Sequence, residues 1–229
     1  MKVSSCLVEG YFVKRLNRFA GLVEVAGQEA MVHVPNSGRL GELLAPGYRM
    51  LLKPAPGRHR KCPYDLALVD LGFTLVSADA RLPNVLVAEA VAEGNLPELK
   101  GYPRLRREVT FGNSRLDLLL EGPQGCCYVE TKSVTLVIDG VAMFPDAPTT
   151  RGVKHLNSLA QAVSLGHRAA VMFVIQREDA RDFSPYDAAD PEFGAALRRS
   201  VAAGVLALAY RCRVSRDEIK LSDRVPVTL

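Results

Sequence analysis

The 229-residue chain has no apolar run approaching the ~20 residues that a membrane-spanning helix needs. Its best, AAVMFVI, is far too short. The opening residues, MKVSSCLVEGYF, lack a long apolar stretch and a small-residue cleavage site, so no signal peptide is expected. Cysteine is scarce: five residues, an odd number with no CxxC pair. That composition fits reduced thiols in a cytoplasmic protein rather than a disulfide scaffold. The four histidines, His33, His59, His155 and His167, show no metal-ligand spacing, which argues against zinc. No repeat or low-complexity segment is present, and neither sign of charge dominates. A net charge of +4 admits a nucleic-acid partner without demanding one.

What is there predicts a packed core, with 48% hydrophobic and 24% charged residues. Residues 1–80 read as β-rich. GYFVKRLNRFAGLVEVAG forms a first strand, and QEAMVHVPNSG a second that ends in an Asn-Ser-Gly turn. YRMLLKPA, YDLALVDLG and FTLVSADA supply three more, and RLGELLAPG makes one short helical turn. Five short strands with one small helix fit a closed OB-like barrel, with an SH3-like barrel or an irregular sheet as the alternatives.

From Arg81 to the end at 229 the order becomes α-β-β-β-α-β-α-β. LPNVLVAEAVAEGNLP reads as a helix capped by Asn84 and stopped by Gly94. RREVTFG, SRLDLLLEG and CCYVETKSVTL read as three strands, and VKHLNSLAQAVSLG as a helix with apolar residues at helical spacing. AAVMFVIQ suits a strand covered on both faces. DPEFGAALRRSVAAG suits a helix with Asp190 as cap and Pro191 at its first position, and VLALAYRCRV a final strand.

One stretch carries chemistry. Alternate strand residues share a face, so Glu130 and Lys132 point the same way, and Thr131 points to the other. If the preceding strand pairs antiparallel across the Gly122–Gly125 turn, Asp117 lies beside Glu130. Two carboxylates and one ammonium then meet at one sheet edge. Mg²⁺ is held by one or two carboxylates plus water and phosphate, so Asp117 and Glu130 are candidate metal ligands, for Mg²⁺ or Mn²⁺. Lys132 would orient water at a phosphodiester. The plain alternative is a cross-strand ion pair.

The chain resembles the sugar fermentation stimulation protein A (SfsA) family, within the PD-(D/E)XK nuclease-like superfamily. The likeness rests on VKRLNRF, HVPNSGRLGELLAPG, RREVTFGNSRLD, YVETKSVTL and FPDAPTTRGVKHL. It implies an α+β protein, with an OB-like barrel over 1–80 and a PD-(D/E)XK nuclease-like α/β domain over 81–229. It also implies DNA binding and a regulatory link to bacterial sugar metabolism. Carried over, Asp117 and Glu130 become the metal-binding acids and Lys132 the catalytic lysine. Glu89 matches a supporting acid, with Glu108 competing for that role. Thr131 replaces an expected valine, and its side chain is expected to face away.

Candidate nucleic-acid contacts follow charge. Arg151, Lys154 and His155 crowd a helix start behind Thr149 or Thr150, which favours an anion. The barrel half carries 10 Lys/Arg against 7 Asp/Glu. Its basic residues include Lys14, Arg15 and Arg18, and the run from Arg58 through Arg60 to Lys61. Asn36, Ser37 and Arg39, in the turn HVPNSGR, either face the cleft between the halves or simply form a tight turn. Tyr11, Phe12 and Phe19 offer stacking faces, with core packing expected for at least two of them. The expected function is Mg²⁺-dependent phosphodiester cleavage on DNA. The alternatives are a non-catalytic DNA-binding regulator and a small-molecule phosphoesterase. No membrane partner is expected, and a homodimer is admissible.

Overall fold

A computed structural model describes residues 1–3, 6–57 and 59–229. Arg58, from the basic run, lies outside the described residues. The first half forms strands β1 (Val8–Asn17), β2 (Ala20–Val25), β3 (Gln28–His33), β4 (Arg49–Pro54), β5 (Tyr64–Asp70) and the short β6 (Leu75–Ser77). β1 pairs antiparallel with β2 and β4, β2 with β3, and β4 with β5. β3 then meets β5 in parallel at Val32–Tyr64 and His33–Asp65, which closes a five-stranded barrel. Phe12, Val23, Val32, Leu43 and Leu52 fill it.

The single strand read over 10–27 is in fact the β1–β2 hairpin. No glycine marks its tip. Asn17 Oδ1 instead accepts the Phe19 N–H at 2.9 Å, an Asx turn. Of the three aromatic residues singled out, only Phe12 is buried; Tyr11 and Phe19 are 52% and 49% exposed. At the strand alternation and the tip of this hairpin, those two rings point outward.

The second half begins with α1 (Leu82–Ala92), then β7 (Arg104–Phe111), β8 (Ser114–Gly122) and β9 (Gly125–Val134). A small hairpin, β10 (Val137–Ile138) and β11 (Val141–Phe144), precedes α2 (Thr150–Ser164). There follow β12 (Arg168–Ile175), β13 (Asp182–Pro185), α3 (Pro191–Ala202), β14 (Leu206–Val214) and β15 (Ile219–Val225). The main sheet runs β15-β14-β12-β9-β8-β7, with β12 parallel to both β9 and β14. α1 covers one face, α2 and α3 the other. β12 is buried on both faces from Ala169 onward, as its unbroken apolar run requires.

Asn84 does not cap α1. The helix starts at Leu82 with Arg81 as cap, because Pro83 fits the first turn, where a missing N–H costs nothing. Gly94, at φ 71°, does follow the helix end. Thr149 caps α2 by accepting the Gly152 N–H at 3.0 Å, and Asp190 caps α3 by accepting the Phe193 N–H at 3.0 Å. β14 is not the last strand, since β15 extends the sheet edge antiparallel to it. Among the described residues no helix is long and apolar enough to cross a membrane.

The two halves share material. Leu51 of β4 and Leu68 of β5 sit in the core formed by Leu86, Val87 and Leu118. Leu40 donates its N–H to Asp146 Oδ2 at 2.9 Å, holding a turn of the barrel against the segment before α2. Ser77 N–H donates to the Gln176 carbonyl at 3.0 Å, and the Gln176 amide donates to the Asp79 carbonyl at 3.1 Å.

Candidate functional site

β8 and β9 turn tightly at Gly122–Gly125 and pair down to Leu118–Val129. One step further, Asp117 comes level with Glu130. On the other side Arg107 pairs with Leu118 and Val109 with Leu116, so Glu108 stands opposite Asp117. Three acids thus lie in one row across three strands. The row does not converge, because Glu108 takes φ 54° and its side chain goes to solvent, 3.7 Å from Arg115.

The other two acids do meet cations and donors. Lys132 Nζ donates to Glu130 Oε1 at 2.7 Å, and His155 Nδ1 makes a short hydrogen bond to the same oxygen. Glu130, Lys132 and His155 are only 4%, 9% and 4% exposed. Burial alone would raise the Glu130 carboxyl. The His155 hydrogen bond and the Lys132 charge outweigh it and hold the group below the usual carboxylate range. Asp117 goes the other way: burial, then the Glu130 charge, push its carboxyl up.

Two residues that the sequence did not single out for this role fix Asp117. Thr131 donates both its backbone N–H and its hydroxyl to Asp117 Oδ2, each at 2.7 Å. The expectation that its side chain faces away is therefore wrong. The β8–β9 ladder has ended at Leu118–Val129, so the free amide edge and the hydroxyl of Thr131 both turn to the acid. Asn84 donates to Asp117 Oδ1 at 3.3 Å and accepts from Arg107 Nε at 2.9 Å. Asn84 stands in the first turn of α1, and that helix end is the one aimed at the acid.

Glu89 is not brought to the cluster. It lies toward the far end of α1 and pairs with the Met1 amino group at 3.2 Å. His155 was read as part of a phosphate-binding helix start, yet it lies in the second turn of α2. It shares the buried face with Leu159 and Ala162, the i, i+4, i+7 signal that could have placed it. Arg151, one turn earlier, donates to its Nε2 at 3.4 Å. Lys154 points elsewhere, to the Asn113 carbonyl at 2.6 Å.

The barrel cations divide. Lys14, Arg18, Arg39 and Lys61 are exposed. Arg60 pairs with Asp65. Arg15 is tied to the carbonyls of Asn17 at 3.1 Å and Arg18 at 2.7 Å, and also to that of Arg39. Asn36 is buried, its Oδ1 accepting the Gly38 N–H at 2.8 Å.

The pair Asp117–Glu130 fits a hard divalent cation. Glu130 Oε2 is buried with no hydrogen-bond partner among the described residues, and such an orphaned oxygen calls for a ligand. Among the described residues no group of three His, Cys, Asp or Glu is arranged around a metal. A cation held there would take two carboxylates from the protein and its other positions from water or phosphate, as Mg²⁺ does.

Comparison with known proteins finds one family in both halves of the chain. The family model for the SfsA N-terminal OB domain matches residues 13–78. The model for the sugar fermentation stimulation protein RE domain matches residues 81–218. A sugar fermentation stimulation protein homolog from Thermoanaerobacter sp. is 46% identical over 230 residues, covering 100% of both chains. One from Desulforamulus reducens is 46% identical, covering 97% of this chain and 93% of its own. The solved structure of Pyrococcus furiosus SfsA in complex with Ca²⁺ superposes with a TM-score of 0.91 at 32% identity, over 100% of this chain and 98% of the other.

Proposed function

The chain belongs to the sugar fermentation stimulation protein family, and on that footing we propose that it binds DNA and cleaves phosphodiesters with Mg²⁺ or Mn²⁺ at Asp117, Glu130 and Lys132. One observation carries the reading: a buried carboxylate oxygen, Glu130 Oε2, is left without a partner beside a second acid whose carboxyl is pushed up. The Pyrococcus furiosus relative was solved with Ca²⁺, which shares the oxygen preference of Mg²⁺.

When bound, the cation supplies Lewis acidity at the phosphoryl group and a more acidic water. The protein's own groups do the positioning. Thr131 and Asn84 hold the Asp117 carboxylate by both oxygens. His155 and Lys132 hold Glu130 by Oε1 and leave Oε2 free. Lys132 also sets a positive charge and a proton donor beside the phosphate.

The test incubates the purified protein with supercoiled, linear and single-stranded DNA in Mg²⁺, Mn²⁺ or EDTA. Cleavage is expected with metal and not in EDTA, and Lys132→Ala should remove it while binding in EDTA survives. No cleavage of any substrate in either metal would overturn catalysis. A second reading would then stand, a binding-only regulator in which Lys132 and His155 simply neutralise Glu130.

A further inference from the structure

The proposed site is deep, with Glu130, Lys132 and His155 each at least nine-tenths buried. Thr131 and Lys132 form part of the wall of a cleft of ≈ 380 Å³ between the two domains. Its barrel side is the Asn36–Gly38 turn with Arg18, and its other side the end of β9 and the segment from Phe144 to Thr149.

The walls are tied together. Leu40, held at φ 51°, donates its N–H to Asp146 Oδ2 at 2.9 Å. A Cβ at Gly38 would stand 2.9 Å from the same oxygen, so the two sides touch there. Arg15 braces the β1–β2 tip against the carbonyls of Asn36 and Arg39. A cleft built this way keeps its width.

Size and charge then select the occupant. A volume of ≈ 380 Å³ lies near the low end of the roughly 300–1,000 Å³ of small-ligand sites, which leaves room for about one nucleotide unit. A duplex is a stiff rod with a persistence length of about 50 nm and holds its phosphates on its rim. Its stiffness makes entry into a one-nucleotide cleft costly, whereas a single strand bends into it freely. Arg18 lines the barrel side with its charge exposed, Lys132 the other side, where its ammonium is bound to Glu130, and Asp146 also lines the cleft but spends one oxygen on the Leu40 N–H. Phe19, next to Arg18 in the hairpin tip and half exposed, offers a ring for a base. We propose that this cleft, which meets the proposed site at Thr131 and Lys132 while Asp117 and Glu130 lie outside its lining, takes single-stranded DNA, including the unpaired end of a duplex, between the Asn36–Gly38 turn and β9. The binding part of this rests on the DNA binding proposed above, and the cleavage part also on the catalysis proposed there.

The experiment measures fluorescence anisotropy in EDTA with one labelled sequence as a single strand, a flapped duplex and a blunt duplex, then cleavage of each in Mn²⁺. The single strand and the flap should bind about ten-fold tighter than the blunt duplex, the effect of a stacked base. They alone should be cut. Ser37→Trp, which fills the cleft from its exposed rim, should abolish the preference, with a thermal melt to verify folding. If that variant fails to fold, Phe19→Ala replaces it and should reduce the preference. Equal affinity for all three ligands would overturn the inference. So would cutting of the blunt duplex at the single-strand rate, and that result would leave the nuclease reading intact. Strand preference with no cutting in any metal would keep the binding part of the inference and overturn catalysis.

Discussion

The two domains treat their cations differently. In the barrel, Arg15 closes on backbone carbonyls of its own hairpin and the neighbouring turn. In the second domain, Lys132 closes on a carboxylate and both are buried. The Arg15 guanidinium is partly desolvated, which lowers its pKa, but it keeps a solvent-facing side and braces a turn. An ammonium drawn into the interior is strongly desolvated and is tolerated only beside an acid. A run of basic letters therefore reports where a chain meets solvent. A cation and an acid at alternate positions of a buried strand report a buried ion pair.

Glu130→Ala presses hardest on that contrast. It leaves Lys132 and His155 buried without their acid, so urea unfolding should show a loss of about 3–5 kcal/mol, the cost of removing one partner of a buried pair. A loss as small as that of a surface change would erase the difference between the domains. Arg15→Ala should cost about 1 kcal/mol in the same assay, as its bonds are partly solvated. It should also weaken DNA binding less than Lys14→Ala with Arg18→Ala, whose cations are exposed. If Arg15 proves the largest binding contributor, the division of barrel cations fails.

The smallest effect has the opposite sign. The folded Asp117 carboxyl lies above its unfolded value of 3.8, so without metal the folded chain holds that proton to higher pH. Its contribution therefore falls as pH rises from about 3.8 through the raised value. Glu130 behaves inversely: its folded value lies below 4.5, so its stabilisation grows up to that pH and is lost as pH falls through the lowered value. Asp117→Asn should keep the Thr131 bonds, remove one repelling charge and raise neutral-pH stability by about 1 kcal/mol. Calorimetry should show this as a Tm about 2–4 °C higher. A lower Tm would make Asp117 a structural partner rather than a strained ligand.

What could be read in the letters was what local chemistry decides. Gly122 and Gly125 announced the β8–β9 turn, Asp190-Pro191 announced α3, and the unbroken run before Gln176 announced β12. What escaped depended on partners distant in sequence. The β1–β2 tip turns on an Asn17 side chain rather than a glycine. β13 has four residues and exists because β11 runs alongside it. At the site, the alternation of Glu130 and Lys132 was visible, but the end of the ladder that turns Thr131 toward Asp117 was not. Glu89 looked well placed on a helix, yet the helix presents its other end, through Asn84.

Leu51 and Leu68 carry a further consequence for how this chain could be rearranged. They are barrel residues by sequence, yet they lie in the core beneath α1 with Leu86 and Val87. A gene fragment ending near residue 80 would encode a barrel with a greasy flank, and the complementary fragment a sheet lacking part of its floor. Shuffling halves between relatives would succeed only where the incoming barrel brings side chains of matching volume at those two positions. The unit that can be moved intact is the pair of domains, even though each has a fold of its own.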